Sequence, residues 1–373
     1  MQKRLNVESV KAAFENKGLN AAAAARALDV SRESVSKWFA GESFPRPDKL
    51  LRLGSLVGLP ISSLVTSEDG ATPRVAFRKK GNAKTTSEHI RNAQEMGRML
   101  RSLVPYLPTR TLTAPPVLKD PTTQYAYLQA VVTGVRSSMG VAQTDAIGFE
   151  QLVKRFSELQ VVLIPVLWGK KNRHENATHI HLPDSATTWV YLNLDVEAHD
   201  FLFWISHELG HSLSPSLEGN DAEDFADAFA GALLFPREVA QPLYEEIVGK
   251  PQRDQMAAVV QRAQHFTISP FCVEKEINAY ARSASLDEIN LRPSIGGVTT
   301  NFNKSHPSVS SAVFDGHPPE PDVYIKAAKD HFETDFFDVL GAFLRESGKG
   351  FGFVQTVLDL GTIDAKGIYA ELS

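Results

Sequence analysis

The chain has 373 residues, 43% of them hydrophobic and 22% charged, which is enough apolar material for two or three cored domains and too much for a disordered chain. Its single cysteine, Cys272, excludes an intrachain disulfide framework and fits a reducing compartment. Net charge is −5, but residues 1–67 carry ten Lys or Arg against six Asp or Glu, and residues 71–110 nine against two. A basic front end on an acidic body points to a polyanionic partner for the front end alone. The opening MQKRLNVESV lacks the apolar core of a signal peptide. No apolar run approaches the length of a membrane span, so the expected location is cytoplasmic, with no membrane partner.

The front end predicts a bundle of short helices. Val7–Asn16 reads as the first helix, and Asn20 caps a second, Ala21–Leu28, whose alanines permit close packing. A tight turn at Asp29-Val30 follows, then Ser31 caps a third helix, Arg32–Ala40, closed by Gly41. Lys49–Val57 and Ile61–Val65 read as two further helices. Leu28 to Gly41, LDVSRESVSKWFAG, with Pro45-Arg46-Pro47 and Leu50-Leu51 beyond it, resembles the Xre/Cro-type helix-turn-helix family over Val7–Val65. Ala25, Val30, Val35 and Trp38 fall at the packing positions of its two crossed helices. The resemblance departs at Asp29, where a glycine is usual, and at Ala21, where a polar phosphate-binding residue is usual. It implies a third helix lying in the major groove of a double-stranded DNA operator, in a protein that acts as a homodimer on two half-sites. The expected DNA-contacting residues are Ser31, Arg32, Glu33, Ser34, Ser36 and Lys37, with Arg32 suited to guanine and Glu33 to cytosine. A helical bundle for protein contacts is the alternative.

Residues 68–86 read as a basic flexible linker, whose Arg78-Lys79-Lys80 either follows DNA phosphates or is simply solvated. Ser87–Val104 predicts an amphipathic helix that serves dimerisation or covers the body. Pro105–Thr123 is irregular, and Tyr125–Val141 opens the body.

The body centres on Phe201–Leu213, FLFWISHELGHSL, which holds His207-Glu208-Leu209-Gly210-His211, the HExxH pattern, in an apolar helical run. His207 and His211 stand one turn apart on one face, so both imidazoles reach a single metal ion. Glu208 lies about 100° round the helix from His207. That is a poor place for a ligand and a good one for taking a proton from water on the metal. Downstream, Asp221–Pro236 has helical spacing of apolar residues and is stopped by Pro236. Glu223 and Asp227 share a face of that helix. Glu223 is read as the third ligand and Asp227 as acceptor for the free N–H of a ligating histidine. Both carboxylates can instead cap or solvate an acidic helix start. Two His and one Glu leave a fourth position open, as in a catalytic zinc site.

HELGH, the Glu223–Asp227 pair and Phe229–Pro236 (FAGALLFP) resemble the ImmA/IrrE family of zinc metallopeptidases over about 140–285. Phe149–Gln160 as helix, Val161–Trp168 and Thr188–Leu194 as strands and the segment Ile268–Ala281 fit the same resemblance. It implies one Zn2+ per chain on His207, His211 and Glu223, with Glu208 as general base and Thr188–Leu194 as an edge strand pairing with extended substrate. The expected substrate is a specific protein, such as a repressor cleaved in a stress, phage or mobile-element circuit. His179 and His181 alternate on one face of a short strand and are read as edge histidines outside the site. Cys272 is read as a structural thiol in a helix.

Leu291–Ser373 carries no catalytic motif. It reads as a loop over Arg292–Pro321, then helices at Tyr324–Asp330, Phe336–Ser347 and Phe351–Leu358, with a sensor, dimer element or lid as possible roles. The expected architecture is thus multidomain, α + (α+β). Residues 1–67 form a helix-turn-helix domain, 87–290 a zincin-like α+β metallopeptidase with a small sheet, and 291–373 a mostly helical region. The expected function is a DNA-binding regulator carrying a zinc endopeptidase. The alternative is a non-proteolytic, antitoxin-like regulator whose zinc domain senses or scaffolds.

Overall fold

Apolar residues at helical spacing and short caps account for most of the elements in the computed structural model of the chain. It describes residues 2–40, 43–59, 64–68, 73–79, 87–108, 117–169, 175–304, 306–314 and 318–373. The chain divides into two units, Met1–Thr72 and Pro73–Ser373. Among the described residues no helix is long and apolar enough to cross a membrane.

The first unit holds helices α1 (Val7–Asn16), α2 (Ala21–Leu28), α3 (Arg32–Phe39) and α4 (Pro47–Val57). Asn6 accepts from the Ser9 amide, Asn20 from Ala23 and Ser31 from Ser34, at 3.2, 2.9 and 3.0 Å. Each cap satisfies one of the amides that a helix start leaves without a partner. Asp29 takes the left-handed conformation at φ 52°, which Asp tolerates better than most residues. Lys49 then ties that turn to α4 by donating to the carbonyls of Leu28 and Asp29. Ala25, Val35 and Trp38 are buried and Val30 packs at the margin of the same cluster. Two short strands escape the sequence reading: β1 (Gln2–Leu5) pairs antiparallel with β2 (Val65–Glu68). Val65, read as the end of a helix, is therefore in a strand. Residues 61–63 and Gly41 lie outside the described residues.

The second unit is built on a four-stranded sheet of order β3-β5-β6-β4, from Arg74–Lys79, Val162–Val166 (β4), Glu175–Leu182 (β5) and Thr187–Asn193 (β6). β4 and β6 are parallel and the other pairs antiparallel. Residues 74–79, read as linker, are thus strand β3 on one edge. β6 is not the edge strand expected of Thr188–Leu194. It is paired on both sides, and all seven of its residues are buried. Its run of Thr, Trp, Val, Tyr and Leu suits a strand covered on both faces rather than one open to a peptide.

Residues 291–373 complete this core. Arg292–Lys304 and Val309–Val313 are helices rather than loop, and Pro321–Phe332, Phe336–Ser347, Phe351–Leu358 and Thr362–Leu372 follow. Trp189 of β6 meets Phe336 edge to face, its ring centroid 6.5 Å away. The Tyr191 hydroxyl donates to the Val357 carbonyl at 2.7 Å, and the Trp168 indole to Leu358 at 3.0 Å. Thr334 and Tyr324 donate to the carbonyls of Leu163 and Pro165 on the outer edge of β4. The helices Arg237–Ile247 and Gln252–Phe266 have no counterpart in the sequence reading. Pro242 inside the first of them reads as a breaker.

Because Phe336 is fully buried, Phe336→Ala should cost the second unit about 3–5 kcal/mol. Denaturant unfolding of the full chain measures this. A cost below about 1 kcal/mol would mean that the C-terminal helices do not share the core.

Candidate functional site

Two helices, Ala198–Leu213 and Gly219–Leu234, carry the residues expected to form a metal centre. They meet at Gly210. A Cβ there would stand 3.0 Å from the Cα of Ala226 and 3.1 Å from the Phe229 ring, so only glycine allows this approach without displacing backbone. The far end of the second helix is fixed by Arg136, a fully buried side chain that donates to the carbonyls of Leu233 (2.6 Å), Ala142 (2.7 Å) and Asp145. With the two helices so held, Glu223 and Asp227 face His207 and His211.

The distances are those of a ligand set. Nε2 of His207 and Nε2 of His211 are 3.0 Å apart. Glu223 places its two oxygens 3.5 Å from His207 Nε2 and 3.4 Å from His211 Nε2. Ligands ~2.0–2.1 Å from a tetrahedral zinc ion lie about 3.3 Å from one another. His207, His211 and Glu223 are the group of metal-ligating type found among the described residues, with donor atoms all within 4.8 Å. Asp227 Oδ1 stands 2.9 Å from His207 Nδ1. Acceptance of that proton by Asp227 leaves the Nε2 lone pair of His207 facing the cluster. The residues fit a zinc ion.

Electrostatics point the same way. Burial works against a charged His207, but hydrogen bonds to Asp227 and Glu223 outweigh it and push its pKa up to about 9. Burial would raise Glu223, yet its bonds to His207 and His211 bring it down to about 2. A buried site with this preference for positive charge suits a cation. Burial keeps His211 below the ordinary histidine value, in the neutral form a ligand needs. Glu208 is 1% exposed. Beside it stands a residue the sequence reading set aside: His179, with Nδ1 3.5 Å from Glu208 Oε2. His179 is not an exposed edge histidine. β5 is interior, and the side chain is 6% exposed. The clue in the sequence was its apolar setting, Ala177, Ile180 and Leu182. Cys272 is buried in the helix Pro270–Ser283, and burial pushes its thiol up and away from reactivity.

In the first unit, Arg32, Glu33, Ser36 and Lys37 lie exposed on α3. Ser31 and Ser34 are taken up by the cap, with their hydroxyls 2.9 Å apart. Glu33 and Lys37 form an exposed pair at 2.8 Å, and the hydrogen bond and charge of Lys37 hold the Glu33 carboxyl below the usual range. Lys37 is engaged with that partner, whereas Arg32 stands exposed at the start of the helix.

Asp227→Asn should weaken zinc binding by roughly 10- to 100-fold, since the amide no longer holds His207 as a carboxylate does. Competition against a chromogenic chelator reads this directly. An unchanged affinity would remove Asp227 from the site.

Comparison with known proteins bears on the first unit. Residues 10–64 match the family described as Helix-turn-helix, which supports DNA binding by that unit. No curated protein matches the chain. Among solved structures, ComR from Streptococcus suis is 9% identical, over 98% of this chain and 93% of that one, at a TM-score of 0.15. A score that low carries no argument about fold. The N-terminal segment is thus similar to helix-turn-helix proteins.

Proposed function

We propose that the chain is a DNA-binding transcriptional regulator whose second unit is a zinc-dependent endopeptidase acting on a specific protein. The observation that carries the second half is the triangle of His207, His211 and Glu223 with donor separations of 3.0 to 3.5 Å, set beside a buried carboxylate on the same helix. The HExxH sequence with its downstream Glu and Asp, and its resemblance to the ImmA/IrrE family, support the same reading.

In this reading His207, His211 and Glu223 hold the zinc ion, which when bound supplies Lewis acidity to the scissile carbonyl and to water. Glu208 takes the proton from the attacking water and returns it to the departing amine. Asp227 keeps His207 in the tautomer that offers Nε2. The apolar walls of the HExxH helix, with Phe201, Leu202 and Ile205 buried, keep bulk water from the carboxylate and strengthen its charge interactions. The first unit brings this activity to an operator, as one half of a homodimer on paired half-sites.

New protein N-termini in cells expressing the wild type, set against cells expressing Glu208→Gln, test the peptidase. Termini that depend on Glu208, with zinc content equal in the two proteins, identify reaction and substrate together. Equal zinc and no differing terminus, even under DNA damage, would favour a regulator whose zinc domain only senses or scaffolds. For the first unit, Arg32→Ala should lose about 1–3 kcal/mol of preference for the operator over other DNA. Unchanged preference and no salt dependence of binding would contradict DNA reading.

A further inference from the structure

One buried polar side chain at the cluster has no part in holding a metal or in the steps above. His179 is 6% exposed on β5, and its Nδ1 makes no hydrogen bond among the described residues. That nitrogen stands 3.5 Å from Oε2 of Glu208. The ring lies 5.6 Å from that of His211, inclined at 52°. The donor cluster whose atoms lie within 4.8 Å of one another comprises His207, His211 and Glu223 and does not extend to His179. Its Nδ1 stands beside the Glu208 carboxylate, and His207 and Glu223 of the ligand set also act on the ring through their charge.

A buried ring nitrogen is ordinarily paired. His181, two residues on and on the same face of β5, shows that case, with Nδ1 3.0 Å from the Thr188 hydroxyl. His179 lacks such a partner, and a buried nitrogen left unpaired is destabilising. Its backbone is held on both sides. It is registered against Ala76 of β3 on one side and Val190 of β6 on the other. A side chain on a strand held at both edges is a rigid mount.

We propose that His179 is a positioning residue for Glu208. Nδ1 stands 3.5 Å from Oε2 without a formed hydrogen bond, and closing that gap by a few tenths of an ångström lets Nδ1–H donate to Oε2 and hold the carboxylate in one orientation against the donor cluster. The effect on turnover rests on the peptidase reading, whereas the contact itself does not.

The test uses the full chain loaded with cobalt(II) in place of zinc, because the pH midpoint of the visible cobalt band reports on the site without any substrate. His179→Ala should shift that midpoint and leave cobalt affinity unchanged. His179→Asn, whose amide nitrogen lies near the place of Nδ1, should restore the midpoint, and His179→Gln, which reaches the place of Nε2, should not. In a Glu208→Gln background His179→Ala should change nothing, since the group it acts through is gone. A shift that persists in that background, a loss of cobalt affinity in His179→Ala, or equal rescue by Asn and Gln would each overturn the positioning role. Failure of the wild type to bind cobalt would overturn it together with the metal site. On the protein target, His179→Ala should cleave roughly 10- to 100-fold more slowly. Absence of cleavage by the wild type alongside an intact cobalt cycle would end the peptidase reading and leave the His179–Glu208 contact standing.

Discussion

Everything at the candidate site depends on how near one helix can come to another at Gly210. With the Cα of Ala226 only 3.0 Å from where a Cβ would be, the two helices touch backbone to backbone. His211 follows Gly210 in the chain and Asp227 follows Ala226, so this single contact delivers ligand and supporting carboxylate to the same place. Arg136, buried on the helix Tyr125–Ser138, donates to the Leu233 carbonyl and so ties down the end of the second helix. A Cβ at 210 would require Ala226 and Phe229 to give by a few tenths of an ångström.

The second constraint is charge. Glu208, Glu223 and Asp227 gather around His207 and His211 in a setting where His207 and Glu208 are nearly or wholly inaccessible to water. Like charges at such a density are costly unless a positive charge sits among them. Hydrogen bonds to Asp227 and Glu223 and the charge of Glu208 raise the His207 imidazole against its burial. A divalent ion would serve, since it would face Nε2 of both histidines and the Glu223 carboxylate at once.

Local signals carried well from sequence to structure. α1, α2, Phe336–Ser347 and Phe351–Leu358 have the bounds that their periodicity and caps predict, because those signals lie within a few residues of one another. The three expected ligands and Asp227 converge for a related reason: each pair is set by the geometry of one helix, and one helix crossing joins the pairs. What the sequence did not reveal was long-range pairing. Nothing in residues 74–79 announces that they border β5, and without β3 the strand bearing His179 looked like an edge. The same gap placed Thr188–Leu194 at the rim, when β4, from residues 162–166, lies beyond it. Beyond residue 291 the helices at 321–332, 336–347 and 351–358 were legible as helices, and those at 292–304, 309–313 and 362–372 were not. The seat of this region against the sheet depends on Trp189–Phe336 and Tyr191–Val357 contacts that span over a hundred residues.

Most of the functional account hangs on whether the triangle of donors holds a metal. X-ray absorption at the zinc edge, on the purified full chain given one equivalent of zinc, tests this most directly. The account predicts about one ion per chain, with nitrogen and oxygen neighbours at ~2.0–2.1 Å, no sulfur, and two imidazole signatures. Glu223→Gln and His211→Ala should each lose it. A chain that takes up no zinc, a sulfur neighbour from Cys272, or an unchanged spectrum in both variants would contradict the account.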